Sequence, residues 1–211
     1  MSQSNVHFTQ RLEVGMLLAA VGGFLDAYTF LCRGGVFATA QTGNIVQMGM
    51  GIAQKNLDLA LLSLLSILAF KAGTLVAEFL MSHNRIFHIK WYYLVLLLEL
   101  AITFGIGFVP TTVPHTAVNI TVSFVSALQV SSFRTLIDTP YATTMSTGNL
   151  RSAMSYWYQG ISKKDHALLE KSYRYFKIIV SFCVGAALGA ILTERVGSGS
   201  VWLCCIFLLA V

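Results

Sequence analysis

Thr139-Pro140-Tyr141-Ala142-Thr143-Thr144-Met145-Ser146-Thr147-Gly148-Asn149-Leu150-Arg151 opens a stretch that runs on through Gln159 to Gly160. Its Pro, Arg and crowd of Thr, Ser and Tyr are too polar for a lipid-facing span, yet apolar runs lie on both sides. Irregular backbone at membrane depth is tolerated only where protein or water surrounds it. The stretch is therefore either a helix–break–helix that enters and leaves on one side, or a broken span lining the interior. Its tripeptide Thr147-Gly148-Asn149 occurs once before, as Thr42-Gly43-Asn44, led in by Phe37-Ala38-Thr39-Ala40-Gln41. Glycine interrupts a helix, and a neighbouring Asn or Thr can cap the next one. Two such helix starts suggest a binding site built from broken helices.

The membrane setting follows from composition. Of 211 residues, 55% are hydrophobic and only 11% charged, against about 25% charged in an ordinary soluble domain. Such a chain cannot cover a water-facing surface, so an all-α polytopic membrane protein is expected, with the lipid bilayer as its first partner. Arg11 and Glu13 precede an apolar run long enough to span, and no small-residue cleavage site follows. The first span is expected to act as its own insertion signal. The net charge of +5 is explained by short basic cytoplasmic loops; no soluble basic domain is present to bind nucleic acid.

Apolar runs cover Val14–Cys32, Leu57–Met81, Trp91–Val109, Thr116–Ile137, Tyr175–Thr193 and Val201–Val211. The last is a half-span at about 1.5 Å per residue, so either the helix is short or the sequence stops inside it. Gly185 and Gly189 form a close-packing GxxxG, read as packing within the fold rather than as a dimer contact. Features recur in order: a shift of 105 places Thr39 on Thr144 and superposes the two tripeptides, 112 places Gly73 on Gly185, and 111 places Trp91 on Trp202. An internal duplication is expected, with repeats at 12–110 and 114–211.

Charge placement bears on how the tripeptide segments sit. With a cytoplasmic N-terminus and both segments re-entrant, Arg11, the loop with Arg85, His88 and Lys90, and the loop from Lys163 to Arg174 are all inside. Arg134 then lies at the inner end of its helix, and only Arg33, Lys55 and Arg195 lie outside. If both segments spanned, the two basic loops would fall on opposite sides, which the positive-inside rule disfavours. The expectation is about six transmembrane helices plus two re-entrant segments. Each half then has an odd number of spans, which makes the repeat inverted. Trp91-Tyr92-Tyr93 and Tyr156-Trp157-Tyr158 read as interfacial anchors.

Gly22-Gly23-Phe24-Leu25-Asp26-Ala27-Tyr28, Gly35 to Ile45, Ala127-Leu128-Gln129 and Ala142 to Leu150 resemble the YoaK-type bacterial inner-membrane proteins, a domain of unknown function. The resemblance covers nearly the whole chain. It implies a multi-pass protein of the bacterial cytoplasmic membrane with about six spans, and it supplies no substrate.

The candidate binding residues are Thr42, Gly43, Asn44, Thr147, Gly148, Asn149, Asp26, Gln129 and Arg134. Helix N-termini carry partial positive charge, so the expected ligand group is anionic or a strong acceptor. The alternative is that the Thr and Asn side chains only satisfy backbone freed by the glycines. Asp26 is an acid within a span: either a coupling site or counter-charge, or a structural partner for Arg134 or for capping donors near the breaks. Lys71 and Glu78 read as neutralised or snorkelling. Glu99 is a weaker candidate. Arg151 stands where the first half has Val46, so the two half-sites are unequal. The cysteines Cys32, Cys183, Cys204 and Cys205 form no CxxC pair, and no His spacing suits a metal. No metal, cofactor or enzymatic site is expected: Ser/His/Asp, HExxH and Walker patterns are missing. The leading function is small-solute transport. A channel, or a lipid-binding scaffold using Lys163, Lys164, Lys171 and Arg174, is the alternative, and a homo-oligomer is left open.

Overall fold

The structure is a computed structural model that describes residues 7–83 and 89–211. Arg85 and His88 lie outside the described residues. The helices are α1 (Leu12–Cys32), α2 (Gln41–Ala53), α3 (Leu57–Ser82), α4 (Trp91–Ile106), α5 (His115–Ser132), α6 (Ser146–Lys163), α7 (His166–Val196) and α8 (Trp202–Ala210). Between α5 and α6 lies a two-residue antiparallel pairing of Thr135–Leu136 with Thr139–Pro140. Leu12–Cys32, Leu57–Ser82 and the helical stretch His166–Ala210 are long and apolar enough to cross a membrane, and Trp91–Ile106 is a shorter apolar helix. Leu57, Leu61, Leu62, Leu65, Leu68 and Leu75 of α3 are exposed. Exposed apolar surface on that scale suits lipid rather than water.

Two boundaries differ from the sequence reading for local reasons. α7 begins at His166 rather than near Tyr175, because the Asp165 carboxylate accepts the N–H groups of Ala167 and Leu168. That side-chain cap starts the helix inside the basic stretch. α7 and α8 are separated by a break at Gly197, whose φ of +69° suits glycine. α5 stops at Ser132, and residues 133–145 turn through the short antiparallel pairing and then lead without helix to α6.

Contacts between helices fix their directions. At one end of the bundle, Ile137 donates its N–H to the Gln10 carbonyl, Phe8 stacks on Tyr92 and Glu78 pairs with Arg134. At the other end, Arg33 donates to the Val109 and Pro110 carbonyls, Asn119 donates to the Arg33 carbonyl and Trp202 donates to the Phe104 carbonyl. Hence α1, α4 and α7 run one way, and α3, α5 and α8 the other. The chain leaves α1 and enters α3 at the same end. It leaves α5 and enters α7 at the opposite end.

Helices pair closely along glycine tracks. An added Cβ on Gly23 would lie 2.0 Å from the Phe182 carbonyl oxygen, and one on Gly185 would lie 2.0 Å from that of Ala20. Gly189 approaches Phe24 in the same groove, so the GxxxG of α7 packs on α1 within the fold. Gly73 of α3 meets the Phe124 carbonyl of α5 in the same manner, at 2.4 Å. Small residues bring backbones together where no hydrophobic drive separates helix from lipid. Gly23→Ala should therefore destabilise the fold by about 1–3 kcal/mol through overpacking. Gly105→Ala, which meets nothing within 4 Å, should be neutral or slightly stabilising. Thermal unfolding of the two variants in detergent checks this, and equal midpoints would contradict the packing.

Candidate functional site

The site is built along one stripe of α1. Leu18, Gly22 and Asp26 are four residues apart, one above another at about 6 Å steps. Each level receives a different part of the chain. Gln129 of α5 donates its side-chain N–H to the Leu18 carbonyl at 3.1 Å. Thr144 packs its methyl against Gly22, where an added Cβ would meet it at 2.8 Å. Asp26 accepts both the backbone N–H of Thr39, at 3.0 Å, and its hydroxyl, at 2.9 Å.

Thr144 reaches the middle of α1 because the chain before α6 climbs along it. Tyr141 meets α1 at Gly15 and Thr144 meets it at Gly22. Seven helical residues and three extended ones both cover about 10 Å, so the two run side by side. The base of this approach is tied to α7: the Tyr175 hydroxyl donates to the Pro140 carbonyl, and Asp138 pairs with Lys171 at 2.8 Å and Arg174 at 3.0 Å. The approach to α2 descends from the opposite end. Ala38 donates its N–H to the Thr29 hydroxyl and accepts from Ser123 of α5.

Both helix starts are uncapped by side chains: neither Ala40 before α2 nor Met145 before α6 supplies a capping oxygen. Just before α6, the hydroxyls of Tyr141, Thr143 and Thr144 are buried with no hydrogen-bond partner among the described residues. An unpaired buried hydroxyl costs free energy, so this group of donors is suited to an acceptor.

The residues expected at the site are divided by the structure. Asp26 lies on the stripe, and Gln129 of α5 reaches it at Leu18. Asn44 and Asn149 are buried in the first turns of α2 and α6, and both serve their own segments. Asn44 donates to the Gln41 side chain at 3.0 Å, and Asn149 brackets Ala142 by donating to its carbonyl and accepting its N–H. Thr42, Gly43, Thr147 and Gly148 are exposed. Arg134 is not at the cluster; it sits at the end of the bundle on Glu78. Asp26 thus bonds the break rather than Arg134. Thr39 and Thr144 occupy the positions closest to α1, ahead of the tripeptides. The signal for them was their superposition under the 105-residue shift.

The bundle, with its apolar exterior, is that of a helical membrane protein. Within that class, the chain belongs to the family described as protein of unknown function (DUF1275), whose model matches residues 14–211, in agreement with the resemblance carried by the paired motifs. No curated protein and no solved structure matched the chain.

The anchor at Asp138 titrates. Partial burial pushes its carboxyl up, but the hydrogen bond and charge of Lys171, with the charge of Arg174, outweigh this and hold it below the ordinary 3.8. A depressed carboxyl contributes its full stabilisation above the unfolded value and loses it as pH falls through the lower folded one. Acid unfolding below about pH 4 should begin at higher pH in Asp138→Asn than in the parent. Coincident acid transitions in the two proteins would remove Asp138 as the anchor.

Proposed function

We propose that the protein is a small-solute transporter of the bacterial cytoplasmic membrane, with its binding site where the approaches to α2 and α6 converge on α1. The observation that carries this is the convergence itself: Thr39 on Asp26 and Thr144 on Gly22, one helical turn apart, each from an uncapped helix start. On this reading α1, α3, α4, α5, α7 and α8 span, and α2 and α6 are re-entrant half-helices that start at mid-membrane. The shared entry and exit ends of residues 33–56 and 133–165 support re-entry. The N-terminus is cytoplasmic, because Arg11, Lys90, Arg134, Lys171 and Arg174 gather at one end.

The two halves, 12–110 and 114–211, are read as an inverted duplication. Exchanging α1–α4 with α5–α8 maps the closest helix pairings onto one another: α1 with α7 becomes α5 with α3, and α4 with α8 returns to itself. The turns match in detail. Gly51 and Gly160 each accept from a residue five on, Asn56 and Asp165. Lys55 and Lys164 take left-handed φ of 56° and 51°. Asn56 and Asp165 each cap the following helix. Antiparallel α1 and α5 support inversion, the plan of many secondary transporters.

The helix N-termini and free hydroxyls favour an anionic or acceptor-rich solute. Purified protein can be screened by thermal shift against small carboxylates, phosphates and polyols, and the stabilising solute then tested in proteoliposomes. Saturable, gradient-driven uptake is expected, falling roughly fivefold for each hydrogen bond of about 1 kcal/mol removed in Asp26→Asn and Thr144→Val. Undiminished uptake in the double variant would sink the site. Unitary conductance steps would make the protein a channel instead.

A further inference from the structure

A second acid within the bundle has none of the support that Asp26 enjoys. Glu99 is the ninth position of α4 from Trp91 to Ile106 and is completely buried. Neither of its carboxyl oxygens has a hydrogen-bond partner among the described residues, and the hydroxyl of Thr103, one turn further along the same face, is equally unpartnered. Its surroundings are apolar: Val95, Leu96, Ile106, Cys204 and Leu208 belong to the same core.

α4 packs against α3, α5, α8 and the 197–201 turn. From α8 the Cys204 thiol faces Glu99. From α3 the charged groups are Asp58, exposed in its first turn, Lys71, which is exposed, and Glu78, which is committed to Arg134 at the end of the bundle. α5 contributes only His115, at its first residue, and the 197–201 turn contributes no titratable group. No cation is therefore within ion-pairing reach of Glu99 among the described residues.

A carboxylate cannot be held in such a place without a partner, whereas a protonated carboxyl costs far less. Releasing the proton requires water, and water can reach this position only if α4 and α8 part. We propose that Glu99 is a proton-binding site seated in the α4–α8 contact, protonated while the helices are packed and ionised when they separate and hydrate it. The step is a simple one: the carboxyl O–H bond breaks, its proton passes to entering water, and the electron pair stays on the carboxylate. Since α4 and α8 exchange with each other when the two halves are exchanged, their separation would be the movement of one half against the other. Glu99 then ties that movement to pH.

Two measurements test this without any transported solute, so they stand or fall apart from the uptake assay. Infrared difference spectra of the protein in liposomes, between acid and alkaline pH, should contain a protonated-carboxyl C=O band. That band should be lost in Glu99→Gln and kept in Asp26→Asn. The second uses protein whose only cysteine is Cys204 (Cys32→Ala, Cys183→Ala, Cys205→Ala) and follows its alkylation by N-ethylmaleimide. Thiolate formation alone raises the rate about tenfold per pH unit. Opening linked to Glu99 should make the rise steeper, up to about a hundredfold per unit, and Glu99→Gln should return it to tenfold. If Glu99→Gln does not fold, Glu99→Asp replaces it, and its carboxyl band should shift in position. A band indifferent to substitution at Glu99, or an unchanged alkylation slope, overturns the proposal.

Discussion

Extended backbone inside a helical membrane protein must find a partner for every N–H and C=O, and the architecture turns on how this is met. A helix satisfies itself; the approaches at residues 34–40 and 133–145 do not. Asp26 takes the Thr39 N–H, Thr29 takes that of Ala38, Ser123 donates to the Ala38 carbonyl, and Asn149 brackets Ala142. Remove these and the breaks would have to become helix or leave the interior. The acid, the hydroxyls and the amide are thus structural first, while the hydroxyls of Thr143 and Thr144 are left without a partner among the described residues.

The two approaches solve the same problem with different side chains. In the first, the approach is fastened to the helix before it by a carboxylate. In the second, the corresponding fastening is an amide reaching back from α6, while the threonines go unpaired. Under the proposed repeat the mid-bundle acid Glu99 is likewise unmatched, since the apolar run of α8 contains no acid. The junction is therefore asymmetric, with one approach bonded to α1 through Asp26 and the other carrying unpaired hydroxyls.

Much of this was legible from residues alone, and what was not has identifiable causes. Low charge and long apolar runs make the membrane class plain, and the polarity of 139–160 marks the second break. The turn Gly51-Ile52-Ala53-Gln54-Lys55-Asn56 and its match Gly160-Ile161-Ser162-Lys163-Lys164-Asp165 were equally readable. They correspond at a shift of 109, between the 105 of the tripeptides and the 112 of Gly73 and Gly185, and a comparison anchored on the tripeptides passes over them. Arg134 was misplaced because its side chain reaches along the bundle end to Glu78, a pairing between helices far apart in sequence. Glu99 could not be ranked above other span acids, since complete burial without a partner is a property of packing. Burial of Asn44 and Asn149 in bonds within their own segments is likewise invisible in a motif.

The glycine-lined pairing of α1 with α7, and of α3 with α5, crosses between the two halves of the chain. Neither half keeps its tightest helix contacts to itself. During synthesis α1 enters the bilayer well before α7, carrying Gly22, Gly23 and Asp26, and its matching groove does not exist until α7 has been made. α1 must wait in lipid or against an insertion factor, with its acid unshielded except by Thr39. A truncated chain ending before α7 is thus an incomplete surface rather than a smaller protein, and α1 finds its closest packing only after α7 has been made.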